Sequence, residues 1–136
     1  MKKKILILGL GSIGLLHANV LSKFKNVYKI FVFTKRDSKG FNKIKYLSDI
    51  KSINPDYVLI CSKTSDHFKH LSFVEKRLMN KTILVEKPLF DKFKNLKIKR
   101  NKVIVGYNLR YHPIIRFLKK KIINKKIYSI SVFCGS

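Results

Sequence analysis

Three glycines near the N-terminus are spaced so that a backbone turn can hold a diphosphate. Gly9, Gly11 and Gly14 in "GLGSIG" have G-x-G-x-x-G spacing, directly after an apolar run and before a stretch with helical periodicity. The first glycine permits the turn, the second lets the backbone approach a pyrophosphate, and the third lets helix pack on strand. The helix N-terminus adds unpaired N–H groups and a positive dipole end. We expect a dinucleotide site that includes Ser12 and Ile13, the alternative being a tight turn alone.

A lysine and a proline follow a second apolar run, "TILVEKPLF" at 82–90. A lysine is costly to hold at the end of a buried strand unless it has a task. Lys87 is therefore a candidate for chemistry, with a solvated loop lysine as the alternative.

The end of the second apolar strand predicts which dinucleotide binds. An NAD enzyme usually carries Asp or Glu about 20 residues past the last glycine, where it accepts hydrogen bonds from the ribose. Here Thr34 is followed by Lys35 and Arg36, which suits a 2′-phosphate and favours NADP over NAD. Two more cations in a lysine-rich chain, with Asp37 close by, leave NAD open.

The elements that position these residues alternate between strands and helices. A parallel, doubly wound α/β sheet with right-handed crossovers is the expected fold. Continuous apolar runs of strand length lie at 4–8, 28–34, 56–62, 82–86 and 102–107, with a weaker candidate at 44–48 after a connection too short for a full helix. A helix is expected after the glycine turn, with a core face of Ile13, Leu16, Val20, Leu21 and Phe24. A second helix is expected over 65–80, with a core face of Phe68, Leu71, Val74 and Leu78. Further helices are expected over 89–100 and from 113 to 126. Ser12, and Thr64 or Ser65, are candidate helix caps.

Composition fits one small globular domain of 136 residues. The charge of +24 raises the question of nucleic acid, but the 31 basic residues are spread along the chain and resemble a default lysine surface. Cys61 and Cys134 lie inside apolar runs, which predicts a reducing compartment and a cytoplasmic protein. The basic, apolar start imitates a secretory signal but lacks an A-x-A-like cleavage site. No run reaches the roughly 18 apolar residues of a membrane span, so we expect no membrane partner.

Four stretches together resemble the Gfo/Idh/MocA oxidoreductases, the family of glucose-fructose oxidoreductase and inositol dehydrogenase. They are "GLGSIGLLH", "ICSKTSDHFKHL", "VEKPL" and "VGYNLRYHP", in an order and spacing that cover 4–113. The last two are far more specific than the glycine turn. The resemblance implies a Rossmann domain over 1–110 that binds NAD or NADP, and the start of a C-terminal α+β domain over 111–136.

The resemblance also implies roles for individual residues. Lys87 would lie beside the nicotinamide and hydrogen-bond the hydroxyl that is oxidised on a sugar or polyol-like substrate, because an ammonium stabilises the alkoxide-like charge that develops. Glu86 would orient Lys87 or the nicotinamide ribose, and the bond before Pro88 is often cis in relatives. Further cofactor contacts are assigned to Cys61, Thr64 and His67, and substrate contacts to Asn108 and Arg110. The alternatives are surface roles for His67 and Arg110. His17 lies on the apolar side of the first helix and is expected to have a structural role.

The chain departs from the family at two points. Lys63 stands where relatives commonly have proline, and relatives run to about twice this length, with a second domain that closes the cleft and supplies a catalytic Asp and His. "IYSISVFCGS" at 127–136 resembles the first strand of that domain. Three functions follow: a truncated or split oxidoreductase, which would need a complementary fragment or a homo-oligomer; a dinucleotide-binding module without chemistry; and a basic nucleic-acid-binding protein. No metal site is expected.

Overall fold

The described residues 1–133 of the computed structural model contain a six-stranded sheet in which every pair is parallel. In chain order the strands are β1 (Lys3–Leu8), β2 (Tyr28–Phe33), β3 (Asn42–Lys43), β4 (Tyr57–Ile60), β5 (Thr82–Val85) and β6 (Lys102–Val105). Their spatial order is β3-β2-β1-β4-β5-β6. Connections therefore lead to one side from β1 and to the other side from β4, as in the predicted doubly wound sheet.

The chain is divided into two compact units, Met1–Gly106 and Tyr107–Ser136. The sheet belongs to the first unit. It is accompanied there by α1 (Ser12–Ser22), the short α2 (Ile50–Ile53) and α3 (Thr64–Arg77). No helix of the described residues is long and apolar enough to cross a membrane.

Strand register aligns the carboxyl ends of the strands. Leu8 pairs with Phe33 and Ile60, and Val85 pairs with Ile60 and Val105. Backbone hydrogen bonds of 2.8–2.9 Å extend the alignment by one residue, so that the residues just after β1, β4, β5 and β6 also form one row: Gly9, Cys61, Glu86 and Gly106. The glycine turn and the "EKP" segment therefore share one edge of the sheet.

Alternate side chains of each strand point to opposite faces of the sheet, because strand side chains have a period of two. Leu6 and Leu8 of β1 belong to a core with Leu71 and Val74 of α3. Ile5 and Ile7 belong to a second core that includes Ala18 of α1. Helices α1 and α3 thus cover opposite faces.

The predicted core face of α1 is wrong except at Leu21, which is partly buried against the second core. Gly14 and Ala18 are the buried residues of this helix, whereas Ile13, Leu16 and Val20 are exposed. The small residues are the buried ones because the helix lies very close to the glycine turn: a Cβ on Gly14 would overlap the carbonyl oxygen of Gly9. The α3 face was predicted better, since Leu71, Val74 and Leu78 are buried.

The third strand is displaced from its predicted position at 44–48. Strand β3 is only two residues long, and a 3₁₀ turn at Leu47–Asp49 follows it. The turn is closed by Asp49, whose carboxylate accepts a hydrogen bond from the Tyr46 N–H at 3.1 Å. As expected, the short connection from β2 to β3 contains no helix.

The helix predicted over 89–100 is also wrong, because this connection has no regular structure. Instead it is tied to α3 by Glu75, which is 5% exposed. One oxygen of the Glu75 carboxylate accepts hydrogen bonds from the Lys99 and Arg100 N–H groups at 2.8 and 2.7 Å, and the other accepts from Asn101 Nδ2 at 2.7 Å. In a helix over 89–100 these two N–H groups would bond to carbonyl oxygens four residues earlier, so their bonds to Glu75 are incompatible with the predicted helix.

The second unit begins with a 3₁₀ turn, Asn108–Tyr111, followed by α4 (Pro113–Ile122). The predicted helix after Pro113 is therefore present but ends before residue 126. Residues 127–133 form no strand, in contrast to the prediction, and this stretch has no paired strand beside it in the described chain. The rest of that predicted strand, including Cys134, lies outside the described residues.

Candidate dinucleotide site

Close contacts leave no room for a side chain at Gly9 or at Gly14, two of the three glycines of the turn. Gly9 has φ +95°, and a Cβ there would lie 2.6 Å from the Ser62 Cα. The glycine turn after β1 therefore touches the chain just after β4, at the point where the direction of the connections changes. Ligands of open α/β sheets bind in this crevice.

Gly11 differs from its two neighbours because open space lies above it. A Cβ on Gly11 would meet no atom within 4 Å. Gly11 is also the N-cap of α1, and Ser12, the predicted cap, is instead the first helical residue. The first turn of α1 contains no acidic residue, so its N–H groups present positive potential to this space. The protein therefore leaves room beside Gly11 for an anion such as a diphosphate.

The turn after β2, which the sequence predicts to hold the ribose, carries the two predicted cations and one carboxylate. Thr34 follows β2, and its Oγ1 accepts a hydrogen bond from the Arg36 N–H at 3.0 Å. Lys35 and Arg36 are exposed. Asp37 lies on the same turn, but its carboxylate accepts a hydrogen bond from the Lys39 N–H at 3.2 Å. The turn at the end of β2 therefore presents cations to solvent.

Cys61 lies beneath the turn and not on its open side. Its side chain is 4% exposed, and a Cβ on Gly14 would lie 3.2 Å from the Cys61 Cβ. Burial, with the charge of Glu86 adding to it, raises the pKa of the Cys61 thiol to about 12. The thiol is therefore neutral and packs under α1, so its side chain does not face the open space beside Gly11.

Glu86 and Lys87 follow β5 at the carboxyl edge, and the Lys87–Pro88 peptide bond is cis. Lys87 is exposed. The Glu86 carboxylate is paired with α1 and not with its neighbour in the chain: Oε1 lies 2.8 Å from His17 Nε2. The structural role expected for His17 is thereby explained by a polar contact, although His17 was placed on an apolar face.

His67 is buried on α3, with 1% of its surface exposed, so its ring faces protein on both sides. Nε2 lies 3.0 Å from the Ser62 carbonyl oxygen, and Nδ1 lies 3.1 and 3.2 Å from those of Pro88 and Leu89. The ring therefore has no free nitrogen for a cofactor, which corrects the expectation of a direct contact. Thr64 is the first residue of α3 and is partly exposed.

The pairing of Ser62 with His70 was not predicted. Ser62 Oγ lies 2.8 Å from His70 Nδ1, and the His70 ring meets Phe33 edge to face. Burial lowers the pKa of His70 against the opposing charge of Asp66, which favours a neutral ring. The i, i+3 spacing places His67 and His70 on one side of α3, but it does not indicate which group each ring meets.

Asn108 and Arg110, the predicted substrate residues, both lie in the 3₁₀ turn of the second unit and are exposed. The Arg110 guanidinium lies 5.8 Å from the centre of the Tyr107 ring. Both remain available to a ligand within that unit.

The sheet order, the glycine turn and the open helix N-terminus define a dinucleotide-binding Rossmann domain. The model of the oxidoreductase family with an NAD-binding Rossmann fold, GFO_IDH_MocA, matches residues 3–107. The chain belongs to this family, as the resemblance implied, and NAD(H) is the cofactor that the family description supports.

Solved structures with the same fold include sugar and inositol dehydrogenases. The WlbA dehydrogenase from Bordetella pertussis, in complex with NADH and UDP-GlcNAcA, is 16% identical with a TM-score of 0.71; 90% of this chain and 42% of that chain are covered. The scyllo-inositol dehydrogenase from Lactobacillus casei, with NAD(H) and scyllo-inositol, is 19% identical with a TM-score of 0.70; the coverages are 90% and 41%.

A Rex-family repressor, RSP, has the same fold with 12% identity and a TM-score of 0.59, and 90% of this chain covers 62% of that one. The chain thus spans about two fifths of the length of the dehydrogenases. A search of curated proteins found no match. At these identities the structures establish the fold alone.

Proposed function

We propose that this chain is the cofactor-binding part of an NAD(P)-dependent dehydrogenase that oxidises a hydroxyl group of a sugar or polyol-like substrate. The observation that carries the proposal is the single row formed by Gly9, Cys61 and Glu86 after three adjacent strands. A dinucleotide whose diphosphate lies beside Gly11 can then extend along the carboxyl edge toward Lys87.

One set of residues would bind the cofactor, and another would act on the substrate. The N–H groups of Ser12 and Ile13 at the start of α1 hold the diphosphate, and Thr34, Lys35 and Arg36 hold the adenosine ribose. The two cations favour a 2′-phosphate and hence NADP, because charge-assisted hydrogen bonds to phosphate are strong. Thr64 lies beside the nicotinamide half. When bound, the cofactor accepts the hydride that leaves the substrate carbon.

Lys87 is the residue we assign to the reacting hydroxyl. Its ammonium donates a hydrogen bond to the hydroxyl oxygen and stabilises the negative charge that grows there as the C–H bond breaks. The hydroxyl proton passes to solvent or to a base, and the substrate becomes a ketone. For Asn108 and Arg110 of the second unit we keep the substrate-binding role that the resemblance implied, since amide and guanidinium donors suit a polyhydroxylated or anionic ligand.

Two measurements test this proposal. Fluorescence titration with NADH and NADPH should give saturable binding of at least one cofactor, and saturable binding of neither would refute it. Hydride transfer is then followed at 340 nm with sugar nucleotides and inositols, first with this chain alone and then with the separately expressed C-terminal domain of a relative added. Lys87→Met should lower turnover by about 10²- to 10⁴-fold while changing cofactor affinity little. Lys63→Met, at an exposed lysine after β4, is the matched control.

A non-catalytic dinucleotide-binding module is the second candidate. It is favoured by the similarity to the Rex-family repressor, a structure of which is described in complex with β-NADH. This candidate predicts the same cofactor binding but no hydride transfer with any substrate or added domain. Turnover that depends on Lys87 would exclude it.

A further inference from the structure

Lys87 lies between two residues that are each held by a histidine. On one side Glu86 Oε1 is 2.8 Å from Nε2 of His17, which belongs to α1. On the other side the carbonyl oxygens of Pro88 and Leu89 are 3.1 and 3.2 Å from Nδ1 of His67, which belongs to α3. Because α1 and α3 cover opposite faces of the sheet, the two histidines reach the segment from opposite sides.

The His67 contacts join two strand ends. The same ring that meets Pro88 and Leu89 places its Nε2 3.0 Å from the carbonyl oxygen of Ser62, just after β4. The ring is 1% exposed, so water does not compete for these positions. The buried ring therefore fills the space between the chain that leaves β4 and the chain that leaves β5.

Gly106 leaves room for the Glu86 carboxylate that His17 contacts. A Cβ on Gly106 would lie 3.0 Å from Glu86 Oε2. The carboxylate therefore occupies the space that a side chain on Gly106 would take, and the imidazole of His17 closes it from the other side. The side chain of Glu86 is only 14% exposed.

We propose that His17 and His67 are positioning residues that fix the Glu86–Leu89 segment and thereby set the place of the Lys87 amine. The inference rests on the proposed function of Lys87 and adds to it the source of its placement. Neither histidine touches the reacting atoms. Loss of either contact should loosen the nicotinamide end of the site and leave the glycine turn, which holds the diphosphate, intact.

Paired substitutions separate the contacts at each histidine. The amide nitrogen of glutamine lies near the position of the imidazole Nε2, and that of asparagine lies near Nδ1. A neutral imidazole has one N–H and a carbonyl oxygen can only accept, so the ring donates on one side, and we assign that N–H to Nδ1, which faces two carbonyl oxygens. His67→Asn keeps a donor toward Pro88 and Leu89, whereas His67→Gln places its donor toward Ser62 instead. His17→Gln retains a donor to Glu86, and His17→Ala removes it. His70→Gln, on the same helix as His67 but paired with Ser62 Oγ, is the control.

The first experiment is amide hydrogen exchange on the protein without cofactor. Exchange of a peptide covering 86–90 should accelerate about tenfold in His67→Gln and His17→Ala. It should stay within about twofold of the wild type in His67→Asn, His17→Gln and His70→Gln. Unchanged exchange in His67→Gln and His17→Ala would overturn the inference, and so would equal acceleration at the glycine turn.

The second experiment compares NADH with ADP-ribose, which lacks the nicotinamide. Calorimetry should show NADH affinity falling about tenfold in His67→Gln and His17→Ala, with ADP-ribose affinity unchanged. Equal losses for both ligands would indicate general damage to the fold and contradict positioning. Wild-type protein that binds neither ligand would refute the proposed function instead, while hydrogen exchange would still decide whether the histidines fix the segment.

Discussion

Nε2 of His17 lies 2.8 Å from Oε1 of Glu86, joining the first helix of the sheet unit to the end of its fifth strand. These residues are 69 positions apart in the chain. The contact directs the carboxylate of the "EKP" segment toward α1, whereas the sequence predicted an interaction with Lys87 or with the nicotinamide ribose. The lysine is left exposed at the carboxyl edge, free of the carboxylate that precedes it.

Gly11 and Gly14 should respond differently to alanine. Gly11→Ala should fold with nearly wild-type stability, because the added Cβ meets nothing, yet it should lower NADH affinity at least tenfold by filling the space beside the helix N-terminus. Gly14→Ala should destabilise the fold, because its Cβ overlaps the Gly9 carbonyl. Thermal unfolding and fluorescence titration measure the two effects. Normal cofactor affinity in Gly11→Ala would mean that the diphosphate binds elsewhere.

Lys35 and Arg36 should decide between the two cofactors. The double variant Lys35→Gln/Arg36→Gln should lose about tenfold or more in NADPH affinity and retain its NADH affinity, because only NADPH carries the 2′-phosphate. The double variant Lys45→Gln/Lys51→Gln removes the same charge from exposed positions outside the site and should change neither affinity. Equal affinities of the wild type for NADPH and NADH would contradict the preference for NADP.

Glu75 should stabilise the fold in a pH-dependent way. Burial raises the pKa of Glu75, but the hydrogen bonds from Asn101, Lys99 and Arg100 outweigh it and hold the pKa below its ordinary value of 4.5. Its contribution is therefore fully present above pH 4.5 and is lost as the pH falls toward the lowered value in the folded state.

Glu75→Gln should cost about 1–3 kcal/mol at pH 7, since the charged acceptor of three hydrogen bonds is removed. Urea denaturation at pH 7 and at pH 3 should show the difference from wild type shrinking at the lower pH. Asp37→Asn removes an exposed carboxylate and serves as the control, with little change expected at either pH. A pH-independent cost of Glu75→Gln would contradict the assigned role of the carboxylate.

Cys61 should be unreactive while the protein is folded. Burial, reinforced by Glu86, raises its pKa to about 12, so the thiolate that reacts with alkylating agents is scarce at pH 8. In a Cys134→Ser background, iodoacetamide should modify Cys61 slowly in buffer and rapidly in 6 M guanidinium chloride, as followed by mass spectrometry. Rapid modification in buffer would place the thiol on the open side of the glycine turn. Because the pKa of the thiol is raised in the folded state, the neutral thiol contributes its full stability at pH values below the pKa of the unfolded chain. This contribution is lost as the pH rises from there through the folded pKa.

The periodicity of the chain was sufficient for most of the strands and for α3. Apolar runs of strand length are enforced by burial on both faces of a parallel sheet, and those at 4–8, 28–34 and 82–86 all became strands. The core face of α1 could not be predicted in the same way. Hydrophobicity favours Leu16 and Val20, but the close approach of the helix at Gly14 and Ala18 depends on the turn geometry beside it.

The connection at 89–100 shows a second limit. Its helical prediction was local, whereas its actual path depends on Glu75, about 25 residues earlier in the chain, whose carboxylate binds the N–H groups of Lys99 and Arg100. Likewise, the i, i+3 spacing of His67 and His70 gave no indication that one ring would bridge two strand ends and the other would pair with Ser62.

The sequence by itself determined the fold class, the glycine turn and the family, because burial periodicity and short motifs are local properties of the chain. The tertiary structure alone decided which polar groups meet. Strand register placed Gly9, Cys61 and Glu86 in one row, and helix packing on opposite faces brought His17 and His67 to either side of Lys87. Such meetings depend on directions and distances between elements far apart in sequence, which no local pattern encodes.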